Sequence, residues 1–339
     1  MNRKRIVTLI AIAALAIGTA SAAVTRSQKS EISFKGFGTM SMSSTDLLAG
    51  DRKLSDTTAD FKGKGLLGGL AGKAMFRSGH TGDFIDLAAM TTAQIDHKKK
   101  TYTVTPIEKW ADMQKDAQNA QKGNPEAEKQ ESKIRIVKSE FKVEDTGETK
   151  TINGFECKKY VALWTVEWEN TETGDKGTDR LETATWTTPM TADLQAAQAE
   201  ELAFSKAYLK AVGIDARDFQ KDVLGTQWIG LLAAFDPVNG QTTMKAEPGK
   251  FASEMGKIKG FPIVVDGKYS PMPKFKKTES EPSVGGGIGG KLIGGLLKKK
   301  ADPEEEKAPA VSFYTEITAL TVSALDPATV QLPAGYKQK

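Results

Sequence analysis

Nine consecutive residues, Tyr160-Val161-Ala162-Leu163-Trp164-Thr165-Val166-Glu167-Trp168, carry their bulkiest apolar side chains at every second position. A period of two is the signature of a β-strand, and the Tyr, Ala, Trp, Val, Trp side must be buried. The other side starts apolar and turns acidic at Glu167, so it is only partly covered. Asn170 to Gly177 (NTETGDKG) is turn chemistry. Thr178 to Thr187 then resumes as a strand, and the two arms read as a long antiparallel hairpin.

The same alternation, with β-branched residues, predicts strands over 31–43, 83–88, 92–96, 101–105, 134–144, 262–269 and 311–324. His97-Lys98-Lys99-Lys100 reads as a charged hairpin tip. Helical spacing is rarer. It is seen in 106–122, where Ile107, Trp110 and Met113 share a face, and in 192–212, which Thr191 caps and Gly213 stops. Residues 219–234 and 247–257 are shorter helical candidates, and 123–133 is polar enough for an exposed linker. The order of strands, helix, long strands, helical block and strands predicts an α+β fold, an antiparallel sheet with helices gathered against one face.

The amino end predicts a compartment. Arg3, Lys4 and Arg5 precede an apolar run from Ile6 to Ile17, and Ala20-Ser21-Ala22 supplies small residues for cleavage after Ala22. The run is shorter than the ~20 residues of a membrane span. Residues 1–22 are therefore expected to be a signal peptide, and 23–339 a single domain in the periplasm or outside the cell. Without the three signal charges the formal charge falls from +4 to +1, too small for a global attraction to nucleic acid. Cys157 is the only cysteine, so no intramolecular disulfide can form, and it is expected to be a small packed side chain.

A short motif occurs twice. Leu66-Leu67-Gly68-Gly69-Leu70-Ala71 matches Leu292-Ile293-Gly294-Gly295-Leu296-Leu297, and both copies are bracketed by lysines. Each glycine costs a helix about 1 kcal/mol in water relative to alanine. These Gly-rich apolar loops, 63–75 and 284–300, are expected to tuck onto the β-core or to meet a membrane or protein partner through Leu66, Leu67, Leu70, Leu292, Ile293, Leu296 and Leu297. The two copies are expected to share one rim of the sheet.

Catalytic patterns are missing from the sequence. The chain has two histidines, His80 and His97, with no HExxH, and no CxxC, EF-hand, P-loop or Gly-x-Ser-x-Gly pattern. Glu167 and Glu169 share a strand face, which solvation explains. No catalytic residue, cofactor or metal set is expected.

Three stretches resemble a family of bacterial envelope proteins of unknown function related to the lipoprotein-carrier (LolA-like) fold. They are Phe84–Leu87 with Ala93–Val104, Gly154–Tyr160, and Leu332-Pro333-Ala334-Gly335-Tyr336-Lys337. The resemblance implies an incomplete antiparallel β-barrel with helices packed against its concave face, whose hollow accepts acyl chains or hydrophobic partners. The helical block at about 190–257 would be an insertion in it. Trp164, Val166, Trp168 and Trp186 would then line the hollow, with Trp110 and Trp228 on helices above it; ordinary core packing accounts for the same tryptophans. The resulting expectation is a non-enzymatic envelope protein that binds a lipid or lipoprotein acyl chain. The alternative is an assembly factor acting through the Gly-Leu loops.

Overall fold

Two β-meanders, one from each half of the chain, join edge to edge into a single open sheet. The first comprises β1 (Ser21–Phe34), β2 (Gly38–Ala49), β3 (Arg52–Gly63), β4 (Gly79–Asp86), β5 (Thr91–Asp96) and β6 (Thr101–Pro106). The second comprises β7 (Ile134–Ile152), β8 (Phe155–Asn170), β9 (Lys176–Thr188), β10 (Phe261–Lys274) and β11 (Val311–Leu325). Antiparallel pairing of β1 with β11 fuses them, and β12 (Lys337–Gln338) adds a short parallel edge beside β6. This computed structural model describes residues 21–65, 78–112, 134–214, 248–274 and 308–339.

The open α+β sheet agrees with the period-two reading, with instructive differences. The strand expected over 31–43 is two strands, because the chain reverses at Lys35–Phe37. β3 escaped notice because its sequence, RKLSDTTADFKG, offers only Leu54, Ala59 and Phe61 as apolar residues. β7 runs on to Ile152, since its polar second half is the outermost strand of the sheet and faces water. It turns back through Asn153-Gly154, both at positive φ (50° and 83°), the backbone that a two-residue hairpin loop demands.

Helix α1 (Ala192–Ala211) lies where expected, with the Thr191 hydroxyl accepting from the Leu194 N–H. Helix α2 (Pro248–Met255) fills part of 247–257. The helix expected from Pro106 needs correction: Pro106 ends β6, and helical structure begins only at Trp110. Its remainder, Met113 included, lies outside the described residues. So do the helix expected over 219–234, the linker 123–133 and residues 1–20.

Alternation divides the core between two faces. Val24 and Leu48 pack beneath Ala197 and Phe204 of α1, while Phe251 and Met255 of α2 cover Trp164, Val166 and Leu181. On the opposite face Ala23, Ala49, Phe84 and Ile95 are covered by Val330 and Leu332 of the carboxyl-terminal segment. α2 also guards the sheet edge. Glu254 accepts the Val143 N–H at 2.7 Å and Lys257 reaches the Val143 carbonyl, so this part of β7 cannot recruit a foreign strand.

Two aromatic rings lie flat over cross-strand glycines, Phe313 over Gly267 and Trp168 over Gly177. A methyl group at either glycine would occupy the ring's position. Gly267→Ala is expected to lower stability by about 1–3 kcal/mol, as overpacking does. Urea denaturation of the variant beside the parent checks this; an unchanged midpoint would show that the ring has room to move.

Candidate functional site

One register row crosses eight strands. Gly63, Gly38, Phe34, Val311, Tyr269, Leu181, Trp164 and Phe141 sit side by side from β3 to β7. On the helix-bearing face this row belongs to the largest apolar cluster, with Tyr160, Ala162 and Val166 beside it. Among the described residues its cover comes from Phe251 and Met255 of the two-turn α2 and from Ile258. The Phe141 and Phe251 rings meet at 4.8 Å between centroids.

The row also contains the described strand ends nearest the two Gly-Leu segments in sequence. The first follows β3, which ends at Gly63, and the second precedes β11, which begins at Val311. These strand ends lie at the same rim, three strand spacings apart, roughly 14 Å. Leu66, Leu67, Leu70, Leu292, Ile293, Leu296 and Leu297 themselves lie outside the described residues.

The proposed lining residues do not stay together. Trp164 and Val166 are fully buried, and the Trp164 indole donates to Ser139 at 3.1 Å, so both are core rather than the wall of an open hollow. Trp168 shares their face and is half-buried. Trp186 lies five positions beyond Leu181 on an unbulged strand, hence on the opposite face, where Lys150 and Lys159 stand over its ring. Trp110 is 49% exposed at the carboxyl end of α1, its N–H donating to the Val212 carbonyl. Trp228 lies outside the described residues. Cys157 is buried among Ile152, Leu194 and Phe261, and burial pushes its thiol pKa up, which suits the packed role expected of it.

Three polar groups without a charged or complete set of partners interrupt the apolar face. Asp179 is buried and accepts from the Trp168 indole (3.1 Å) and the Tyr269 hydroxyl (2.9 Å). Both donors are neutral, and burial raises its pKa above the ordinary 3.8. The other two are the Thr183 and Thr185 hydroxyls, fully buried and without a hydrogen-bond partner.

A separate cleft of about 110 Å³ lies under α1, lined by Val24, Leu48, Phe204 and the charged Arg26, Asp46, Lys53 and Glu201. Arg26 reaches Glu201 at 2.7 Å and Asp46 at 3.0 Å. Burial opposes the Asp46 charge, but Lys53, Ser55 and Arg26 outweigh it and lower its pKa. For Glu201 burial prevails and the pKa rises. The cleft falls short of the ~300 Å³ at which small-molecule pockets begin, and its charges answer one another. Its role is to tie α1 to the sheet, as Glu200 does by accepting the Gly50 N–H.

The fold assembles one further set that sequence spacing did not announce. His80, His97 and Asp56 bring ligand atoms within 4.8 Å of one another. The expectation of no metal set rested on motif spacing along the chain, whereas this trio forms across neighbouring strands. Comparison of the chain with family models, with curated proteins and with solved structures returned no match.

Two measurements test these assignments. Because the folded pKa of Asp179 is raised, its stabilising contribution is complete below the unfolded value near 3.8 and is lost as pH rises through the folded value. Denaturation from pH 4 upward is therefore expected to show Asp179→Asn gaining on the parent as pH rises; parallel curves would refute the shift. Thr183→Val and Thr185→Val each remove a hydroxyl that costs about 1–3 kcal/mol when buried unpaired. Each variant is expected to be as stable as the parent or more so, read from its urea midpoint.

Proposed function

We propose that this is an exported, non-enzymatic envelope protein that binds a hydrophobic ligand, a lipid or a lipoprotein acyl chain, at the rim shared by the two Gly-Leu segments. The carrying observation is the register row. It sets an apolar sheet face, covered among the described residues by α2 and Ile258, beside the end of β3 that precedes the first segment and the start of β11 that follows the second. Displacing Phe251, Met255 and Ile258 would free that face, and the unpartnered Thr183 and Thr185 hydroxyls lie on it. The open antiparallel sheet with helices on one face is also what the lipoprotein-carrier resemblance leads one to expect.

Export is part of the same reading. Cleavage after Ala22 would remove only the first two residues of β1 and keep the pairing from Ala23 onward. No described helix is long and apolar enough to cross a membrane, so attachment through such a helix finds no support among those residues.

A second reading, an assembly factor that docks a protein partner, rests on the same rim and needs no opening of the core. Native mass spectrometry with lipid extraction, on protein purified from an envelope fraction, separates the two. A lipid at fixed stoichiometry is expected, together with uptake of a fluorescent fatty acid that Phe251→Ala strengthens and that removal of both Gly-Leu segments weakens. Lipid-free protein that takes up neither fatty acid nor phospholipid would overturn lipid binding and leave the docking reading.

A further inference from the structure

Both histidines of the chain meet at one place. His80 stands on β4 and His97 at the first position of the β5–β6 turn, with Asp56 on the neighbouring β3. Their imidazoles stack at 4.0 Å between centroids, 15° from parallel. One carboxylate serves both: His80 Nε2 lies 2.5 Å from Asp56 Oδ1, and His97 Nε2 lies 3.1 Å from Asp56 Oδ2. The second contact has the distance of a hydrogen bond without its direction, so the buried His97 Nε2 has no hydrogen-bond partner.

The surroundings make room for this arrangement. Gly82 is the cross-strand neighbour of Asp56, and a Cβ there would stand 3.0 Å from His97 Nε2 and 3.0 Å from the Ser55 carbonyl oxygen. Glycine therefore lets the His97 ring lie across the strands toward Asp56. On the other side of the ring His97 Nδ1 is 2.9 Å from the Tyr336 hydroxyl, and the Tyr336 ring meets it edge-on. When Nδ1–H donates to Tyr336, Nε2 is left with its lone pair free, the tautomer that binds metals. His80 and Asp56 remain nearly half exposed (47% and 43%), which leaves an approach from solvent.

We propose that Asp56, His80 and His97 bind one borderline divalent transition-metal ion of the zinc, cobalt or copper type. Two imidazoles and a carboxylate are its ligands, and water completes the coordination. Imidazole nitrogen selects these ions over magnesium and calcium, which prefer all-oxygen sites. Tyr336 acts as a positioning residue, holding the His97 ring and its tautomer. The site shares β3 with the rim but uses side chains that neither the register row nor the α2 cover involves, so its test stands independently of the function proposed above.

Titration of untagged, metal-free protein with zinc, followed by calorimetry, and with cobalt(II), followed by its visible absorption, tests the proposal. One ion per chain is expected, with an unfolding temperature that rises with zinc concentration. His80→Ala, whose side chain is half exposed and whose loss leaves the core intact, is expected to abolish the cobalt spectrum. Tyr336→Phe is expected to weaken zinc binding about 10–100-fold, the usual effect of removing a ligand's supporting hydrogen bond. Gly82→Ala is expected to displace the His97 ring and weaken binding as well. Zinc affinity no greater in the parent than in the His80→Ala/His97→Ala double variant would overturn the proposal and leave a hydrogen-bonded cluster.

Discussion

The pairing of β1 with β11 joins residues close to opposite ends of the chain, Ser21 with Leu325 at one end and Phe34 with Val311 at the other. Within each meander most neighbouring strands are joined by tight turns at low loop-closure cost, although β9–β10 and β10–β11 close longer connections. The β1–β11 seam is not so joined, because its contacts close a loop of nearly the whole chain. The continuity of the sheet waits on it. Without the seam, Gly63 and Val311 would belong to separate sheets, the register row would break between Phe34 and Val311, and α1 would have only half of its platform. The seam is reinforced by side chains from both halves, since Arg26 on β1 is held by Asp46 on β2 and by Glu201 on α1. Thr318 is extra in β11, a bulge between the partners of Ser27 and Gln28. Such bulges increase local twist.

Around that seam the two faces are stabilised differently. Under α2 the helix-bearing face is aromatic and accommodates large rings by laying them over Gly177 and Gly267, whereas under α1 it carries the Arg26, Asp46 and Glu201 cluster. Three of the polar groups on that face are expensive: a buried carboxyl with neutral donors, and two hydroxyls with no partner. The opposite face of the first meander is closed by the chain's own tail, which also delivers Tyr336 to His97. The apolar face under α2 and the histidine cluster are therefore built by different means. One depends on apolar burial under a short helix, the other on a glycine opposite a carboxylate.

Much of the strand architecture was legible. The Tyr160–Trp168 alternation, the hairpin to Thr178–Thr187, the lysine turn after His97 and the capped α1 are local patterns, and local patterns survive folding. β3 was not legible, since a mid-sheet strand need not be very apolar when both neighbours share the burden. The extension of β7 was not legible either, because an edge strand's outer half can be entirely polar. Among the candidate residues, alternation correctly grouped Trp164, Val166 and Trp168. It gave no parity between Trp168 and Trp186, because the length of the intervening turn sets which face the next strand presents.

By itself the sequence determined the period-two strands, the helix cap at Thr191, the lack of any disulfide and the two matching Gly-Leu segments. These follow from backbone geometry, side-chain chemistry and residue counts, which need no partner elsewhere in the chain. Only the tertiary structure decided that the end of β3 and the start of β11 lie at one rim, that the Trp164 face packs against α2, and that His80 and His97 meet over Asp56. Each of these depends on strand register and on pairing between distant segments, and register is fixed by the assembled sheet rather than by any stretch of residues read alone.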